Sequence, residues 1–159
     1  MKIFIEIPSW LGDAIMATPA IQNIIKTYPK AKITLLGSFV STQAFANYPN
    51  IEKIIVDDTK KSGNRYKNLI VLAKSIGKVD LAISFRRSFS SKFMMFFIKA
   101  KNKFNYKRLT KDEIHLAIRY NDFVNKVLKL NNEVGDLKLY FQPFSYSKPT
   151  LGINPGATY

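Results

Sequence analysis

The chain contains no cysteine, which excludes disulfide bracing, a thiolate nucleophile and a cysteine-ligated zinc centre, and suits a reducing compartment. Long apolar stretches are also missing. The longest run, Phe93–Ile98, falls far short of the roughly 20 residues needed to span a bilayer. Met1–Ile7 carries Lys2 and Glu6 and leads into no extended apolar region, so it does not read as a secretory signal. Acidic residues are scarce: 11 Asp and Glu stand against 25 Lys and Arg, for a formal net charge of +14. Such an excess concentrates anionic partners, whether phosphorylated sugars, anionic lipid or nucleic acid. No internal repeat or low-complexity segment is present.

What is there is globular in composition. The 159 residues are 47% hydrophobic and 23% charged, enough for one self-supporting core. Two periodicities alternate along the chain. Lys2–Ile7 reads as a strand that meets Pro8 and Ser9. Asp13–Tyr28 then shows helical spacing, with Pro19 predicting a kink or a restarted helix. Strands are expected at Lys32–Leu36, Ile51–Val56 and Val79–Ser84, with helices at Thr42–Tyr48 and Tyr66–Ile76. This order predicts an α/β, Rossmann-like parallel sheet with helices on both faces. Ser88–Lys99 reads as a serine-capped helix and Lys103–Tyr106 as a short strand. Asp112–Leu130 reads as a long amphipathic helix whose seam is Ile114, Ile118, Phe123, Val127 and Leu130. Leu137–Phe141 is a candidate strand, and the Pro/Ser/Tyr stretch 142–149 reads as a linker. Thr150–Ile153 then opens a new strand before the loop Asn154-Pro155-Gly156-Ala157. The expected organisation is a domain over 1–141, a linker over 142–149, and the start of a truncated second domain over 150–159.

The segment Ile7-Pro8-Ser9-Trp10-Leu11-Gly12-Asp13 places a loop, a glycine and a carboxylate at the carboxyl end of the first strand, the edge where open α/β sheets bind ligands. Gly12 would permit a tight turn and close backbone approach, and the first helical N–H groups would face an anion. No G-x-G-x-x-G fingerprint accompanies it. Asp13 suits either a general base or an N-terminal helix cap. Arg86 and Arg87 follow the strand Val79–Ser84 and reach the same edge, where guanidinium forks suit phosphate or carboxylate; pairing with local acids is the alternative. Ser88 and Lys92 open the next helix. Its remainder, Phe93–Ile98, reads as a buried core helix or, given nearby lysines, as an apolar lip toward membrane or acyl chains. His115 and Arg119 share a helical face, with Arg119 a candidate for an acidic sugar and His115 read as structural. Asp57 and Asp58 read as a turn, and no metal or cofactor is expected.

The run Ile7–Met16, followed by Thr18-Pro19-Ala20, resembles the opening signature of the heptosyltransferases of glycosyltransferase family 9, in particular the lipopolysaccharide heptosyltransferase II branch. Ser84-Phe85-Arg86, His115–Arg119 and Asn154–Tyr159 fall in the order that family shows. The resemblance implies the N-terminal, acceptor-binding half of a metal-independent GT-B enzyme on the inner face of the cytoplasmic membrane. ADP-heptose would be its donor and Kdo-lipid A or heptosyl-Kdo-lipid A its acceptor, with the anionic inner-membrane surface as a further partner. It implies Asp13 as catalytic base, with Arg86, Arg87, Ser88, Lys92 and Arg119 on the acceptor. Ser9, Trp10 and Gly12 would form the cleft loop, and Asn154, Gly156 and Thr158 the donor-side loop. Nucleic acid is not an expected partner. A basic nucleic-acid-binding module and a non-catalytic acceptor- or membrane-binding fragment are the readings from other classes.

Overall fold

In the computed structural model, residues 1–61, 63–141, 145 and 147–151 are described. Strands β1 (Lys2–Glu6), β2 (Lys32–Gly37), β3 (Ile51–Val56), β4 (Lys78–Ser84) and β5 (Lys99–Asn105) form one sheet in the order β3-β2-β1-β4-β5. Every neighbouring pair is parallel, with Ile3 opposite Ile33 and Leu81, and Ile5 opposite Leu35 and Ile83. Reversal of the strand order on either side of β1 opens a crevice at the carboxyl edge between β1 and β4.

The two-residue period of β1 divides the core. Ile3 and Ile5 face one layer with Ile33, Leu35, Leu81 and Ile83, closed by α2 (Thr18–Thr27) and α6 (Leu116–Leu128). Phe4 faces the other, with Leu36 and Ala82 beneath α4 (Arg65–Ile76) and α5 (Phe89–Phe97). Burial on both faces explains why the central strand reads as a continuous apolar run. The edge strand β5 carries Lys99, Lys101 and Lys103, all exposed, charges that discourage edge-to-edge pairing.

Pro19 restarts the helix rather than kinking it. α1 (Leu11–Met16) ends at Ala17, and Pro19 sits in the first turn of α2, where its missing N–H is not needed. The segment after β2 becomes helical earlier than its apolar spacing predicts: α3 runs Phe39–Gln43 because Ser38 caps it, accepting from the Ser41 N–H. β5 begins at Lys99, four residues before the expected start, because α5 ends at Phe97 and Lys99 pairs with Lys78.

α6 starts at Leu116, not Asp112. His115 caps it through Nδ1, which accepts from the Ala117 N–H at 3.4 Å. The preceding loop is tied down by Arg108, which donates to the carbonyls of Thr110, Lys111 and Asp112. The buried face of α6 is Ala117, Tyr120, Phe123 and Val124, while Ile118 points to solvent. Of the expected seam, Phe123 and Val127 face the core and Ile118 does not.

Leu137–Phe141 is not a strand. It runs irregularly over the core, the Lys138 N–H donating to Thr18 Oγ1 and the Tyr48 hydroxyl donating to the Lys138 carbonyl. Tyr140 packs edge-on against Tyr48 at 4.7 Å. Upstream, buried Asn23 donates to Asn121 Oδ1 at 2.7 Å and to the Glu133 carbonyl at 2.9 Å, pinning the chain after α6 against α2. Thr150 and Leu151 are not in a strand. The rest of that expected strand, and half of the expected linker, lie outside the described residues.

Candidate functional site

The crevice at the carboxyl edge holds a cleft of about 250 Å³ lined by Ser9, Trp10 and Asp13 on one side and by Arg86, Arg87 and Ser88 on the other. Phe85, Tyr106 and Tyr120 complete it. A larger hollow of about 590 Å³ lies at the opposite edge, against the strand starts, among Met1, Lys2, Lys78, Lys99 and Lys101. Its carboxylate, Asp80, is already paired with Lys101 at 2.7 Å. The smaller cleft is the chemical one, because titratable groups from four separate segments converge there: Asp13, Arg86 with Arg87, Tyr106 and Tyr120.

The β1–α1 loop delivers Asp13. Trp10 holds the helix cap position with no side-chain hydrogen bond, so Asp13 is the third helical residue and does not cap α1. Its carboxylate has no hydrogen bond or ion pair among the described residues, and it is half-buried. Gly12 is not a turn residue either. It lies inside α1, and a Cβ there would meet nothing within 4 Å. The Ser38 hydroxyl donates to the Ser9 carbonyl at 2.7 Å, joining the loop after β1 to the loop after β2.

The β4–α5 loop delivers two arginines with different fates. Arg86 Nη1 donates to Glu6 Oε1 at 3.1 Å and to Asp57 Oδ2 at 3.4 Å, and its side chain is 14% exposed. Ser84 and Ser91 also donate to Glu6. Burial pushes the Glu6 carboxyl above its ordinary range, against the pull of Arg86 and the two hydroxyls. Arg86 thus pairs with local acids while lining the cleft. Arg87 is exposed and has no ion pair or hydrogen bond among the described residues. Ser88 caps α5, accepting from the Ser91 N–H.

The two carboxylates that invited a metal reading have separate partners. Asp57 accepts from the Thr59 N–H and hydroxyl as well as from Arg86, and Asp58 pairs with Lys61 at 2.8 Å. Among the described residues no group of three or more His, Asp or Glu is placed to hold a metal ion.

Two tyrosines that the sequence reading did not place at this edge line the cleft. Tyr106, just beyond β5, and Tyr120, on α6, stack edge-to-face at 4.9 Å and form an aromatic floor with Phe85 and Phe123. Their rings are buried, yet neither hydroxyl has a hydrogen-bond partner among the described residues and both residues line the cleft. Burial raises the Tyr120 hydroxyl well above its usual range and the Asp13 carboxylate raises it further, while Arg87 acts in the opposite sense. Their separation along the chain, and their resemblance to any other core aromatic, left no signal in the sequence.

Lys92 and Arg119 do not line this cleft. Lys92 lies a turn further along α5, exposed. Arg119 Nη2 donates to the Asp112 carbonyl at 3.0 Å, its Nε is buried without a partner among the described residues, and its charge acts on the Tyr106 hydroxyl. Asn154, Gly156 and Thr158 lie outside the described residues.

No family model matches the chain. Over all of its length it is similar to the lipooligosaccharide heptosyltransferase 2 of Campylobacter jejuni subsp. jejuni serotype O:2, with 38% identity across 166 aligned residues that make up 51% of that protein. The chain therefore spans about half the length of the curated relatives it matches. Among solved structures, the E. coli heptosyltransferase WaaC with ADP-2-deoxy-2-fluoro heptose aligns over 86% of this chain and 51% of its own, at a TM-score of 0.71 and 14% identity. A glycosyl transferase family 9 structure from Veillonella parvula aligns over 87% and 43%, at 0.68 and 22%. At these identities the structural likenesses establish the fold.

Proposed function

We propose that this chain, homologous over its whole length to lipooligosaccharide heptosyltransferases, is the acceptor-side half of a GT-B enzyme that transfers heptose from ADP-heptose to the Kdo/heptose inner core of lipopolysaccharide. The observation that carries the reading is the Asp13 carboxylate, without a partner among the described residues, in a cleft whose opposite wall presents Arg87, likewise unpaired among them. A carboxylate without structural partners is available as a general base. A free guanidinium beside it suits the carboxylate of Kdo or a phosphate of lipid A.

In this mechanism Asp13 takes the proton from an acceptor hydroxyl as that oxygen forms a bond to the anomeric carbon of the donor. The bond from that carbon to the diphosphate oxygen breaks, ADP leaves with the electron pair, and the anomeric configuration inverts. No metal step is required of these residues. The relatives are about twice as long as this chain. We place most donor contacts on that remaining half, with Asn154, Gly156 and Thr158 at its near side, so the isolated half is expected to be inactive. We place the enzyme in the cytoplasm, peripheral on the anionic inner surface of the membrane that carries the proposed acceptor. No helix among the described residues is long and apolar enough to cross a membrane.

The test is ADP release from ADP-heptose with a Kdo-lipid A acceptor, using the full-length protein in which this sequence occurs. Asp13→Asn is expected to lower kcat by roughly 10²–10⁴-fold, the usual contribution of a positioned base. An Asp13→Asn enzyme that turns over at the wild-type rate would sink the base assignment. A wild-type enzyme with no acceptor-dependent ADP release would sink the function.

A further inference from the structure

Amphipathic surface helices turn their apolar face inward, yet α5 has apolar residues on both faces. Met94, Met95 and Ile98 fill the core beneath it, so the buried-helix reading holds for that side. It fails for the other: Phe89 is 70% exposed and Phe96 76%. Phe89, Lys92, Phe93 and Phe96 stand at i, i+3, i+4 and i+7, one stripe along the helix. The rings form a continuous ladder from Tyr66 on α4 to Phe93 at 5.1 Å, then to Phe97 at 5.0 Å and Phe96 at 5.2 Å. Contiguous exposed apolar surface on this scale marks a contact with another phase or partner.

The surrounding charge identifies which. Residues 86–111 contain nine Lys and Arg and no Asp or Glu. Lys92 and Lys99 are exposed and have no ion pair among the described residues, and Lys103 reaches back over the helix end to donate to the Phe96 carbonyl at 2.8 Å. Aromatic rings within a basic fringe match an anionic lipid surface, where the rings enter the acyl boundary and the cations meet the headgroups. A second exposed apolar group, Trp10 with Phe39 and Val40, has a thinner fringe: Arg86 and Arg87 share the cleft with Trp10, and residues 33–52 contain no Lys or Arg.

We propose that the α5 stripe of Phe89, Phe93 and Phe96, with Lys92 and Lys99, is a docking surface for an anionic bilayer. The stripe begins one residue after Ser88, which lines the cleft, and runs from Phe89 to Phe96, about 10 Å at 1.5 Å per residue. Docking along it holds the cleft at the membrane surface, where a lipid-linked acceptor presents its sugar; this consequence rests on the acceptor assignment proposed above.

Vesicle flotation tests the surface without any turnover. Wild-type protein is expected to float with phosphatidylglycerol-containing vesicles and not with pure phosphatidylcholine, and to be released by salt. Phe89→Ser/Phe96→Ser should weaken binding at least tenfold, and Lys92→Glu/Lys99→Glu by about tenfold or more, at roughly 1 kcal/mol per cation. Circular dichroism is expected to match wild type, because all four side chains are exposed, Phe89, Lys92 and Phe96 on α5 and Lys99 at the start of β5. Wild-type-like flotation of the serine variant, or equal binding to both vesicle types, overturns the proposal. So does a self-associating wild type that the serine variant renders monomeric with flotation unchanged. In parallel, the serine variant of the full-length enzyme should transfer normally to a deacylated, water-soluble acceptor and poorly to the acceptor in vesicles. Transfer to neither acceptor by wild type defeats the reaction assignment while leaving the flotation result to decide the surface.

Discussion

Arg86 Nη1 lies 3.1 Å from Glu6 Oε1 and 3.4 Å from Asp57 Oδ2, and so joins the carboxyl ends of β1, β3 and β4 beneath the cleft. Its neighbour Arg87 has no such partner among the described residues. Adjacent residues of one type therefore hold different offices: one braces the sheet edge, the other is available to ligand.

Removing the two should separate stability from binding. Arg86→Ala leaves Glu6 buried with only the Ser84 and Ser91 hydroxyls as partners and no cation among the described residues, and is expected to cost about 3–5 kcal/mol in stability. Arg87→Ala should leave the melting temperature within a degree or two, about the scatter of surface substitutions, and raise the acceptor KM. Thermal melts paired with acceptor titrations decide this, and a stable Arg86→Ala with normal kinetics would contradict the bracing role.

Tyr120→Phe keeps the ring that packs on Phe85 at 5.2 Å and deletes only a hydroxyl without a protein partner among the described residues. Stability should be unchanged. If the hydroxyl orients the acceptor beside Asp13, kcat should fall about tenfold, the worth of one hydrogen bond of roughly 1–1.5 kcal/mol. An unchanged kcat would assign the hydroxyl to solvent.

Gly12→Ala puts a methyl into open space inside a helix, since no atom lies within 4 Å of the added Cβ. The fold should be unharmed or gain up to about 1 kcal/mol from helix propensity. A simultaneous loss of activity would show that ligand occupies that space, and full activity would show that it does not.

Burial holds the Tyr48 hydroxyl up at about 12, where it donates to the Lys138 carbonyl. An unfolded tyrosine ionises near pH ~10. Between these values the folded state keeps a proton that the unfolded state loses. This contribution to stability is complete below pH ~10 and disappears as pH rises through the folded value. Urea titrations across that alkaline range should show a steeper decline for wild type than for Tyr48→Phe.

Much of the fold was legible. The alternation of apolar strand runs with helical spacing predicted the parallel sheet, and Ser88 announced α5 through its hydroxyl. Asp13, Arg86 and Arg87 could be placed at one edge because parallel strands share a carboxyl end. The misplacements came where one polar contact outweighed periodicity. Ser38 started α3 early, and His115 delayed α6.

Local chemistry and strand order, both written in the sequence by itself, determined an α/β sheet, a loop with a carboxylate at its carboxyl edge, and a basic, cysteine-free surface. Only the tertiary structure decided which charges were free. Whether an arginine serves the sheet or the ligand depends on what lies within about 4 Å of it, and for Arg86 those neighbours, Glu6 and Asp57, are 80 and 29 residues away in the chain. The same holds for Tyr106 and Tyr120, which become cleft residues through packing between β5 and α6, and for Phe89 and Phe96, whose exposure depends on which side of α5 the sheet takes.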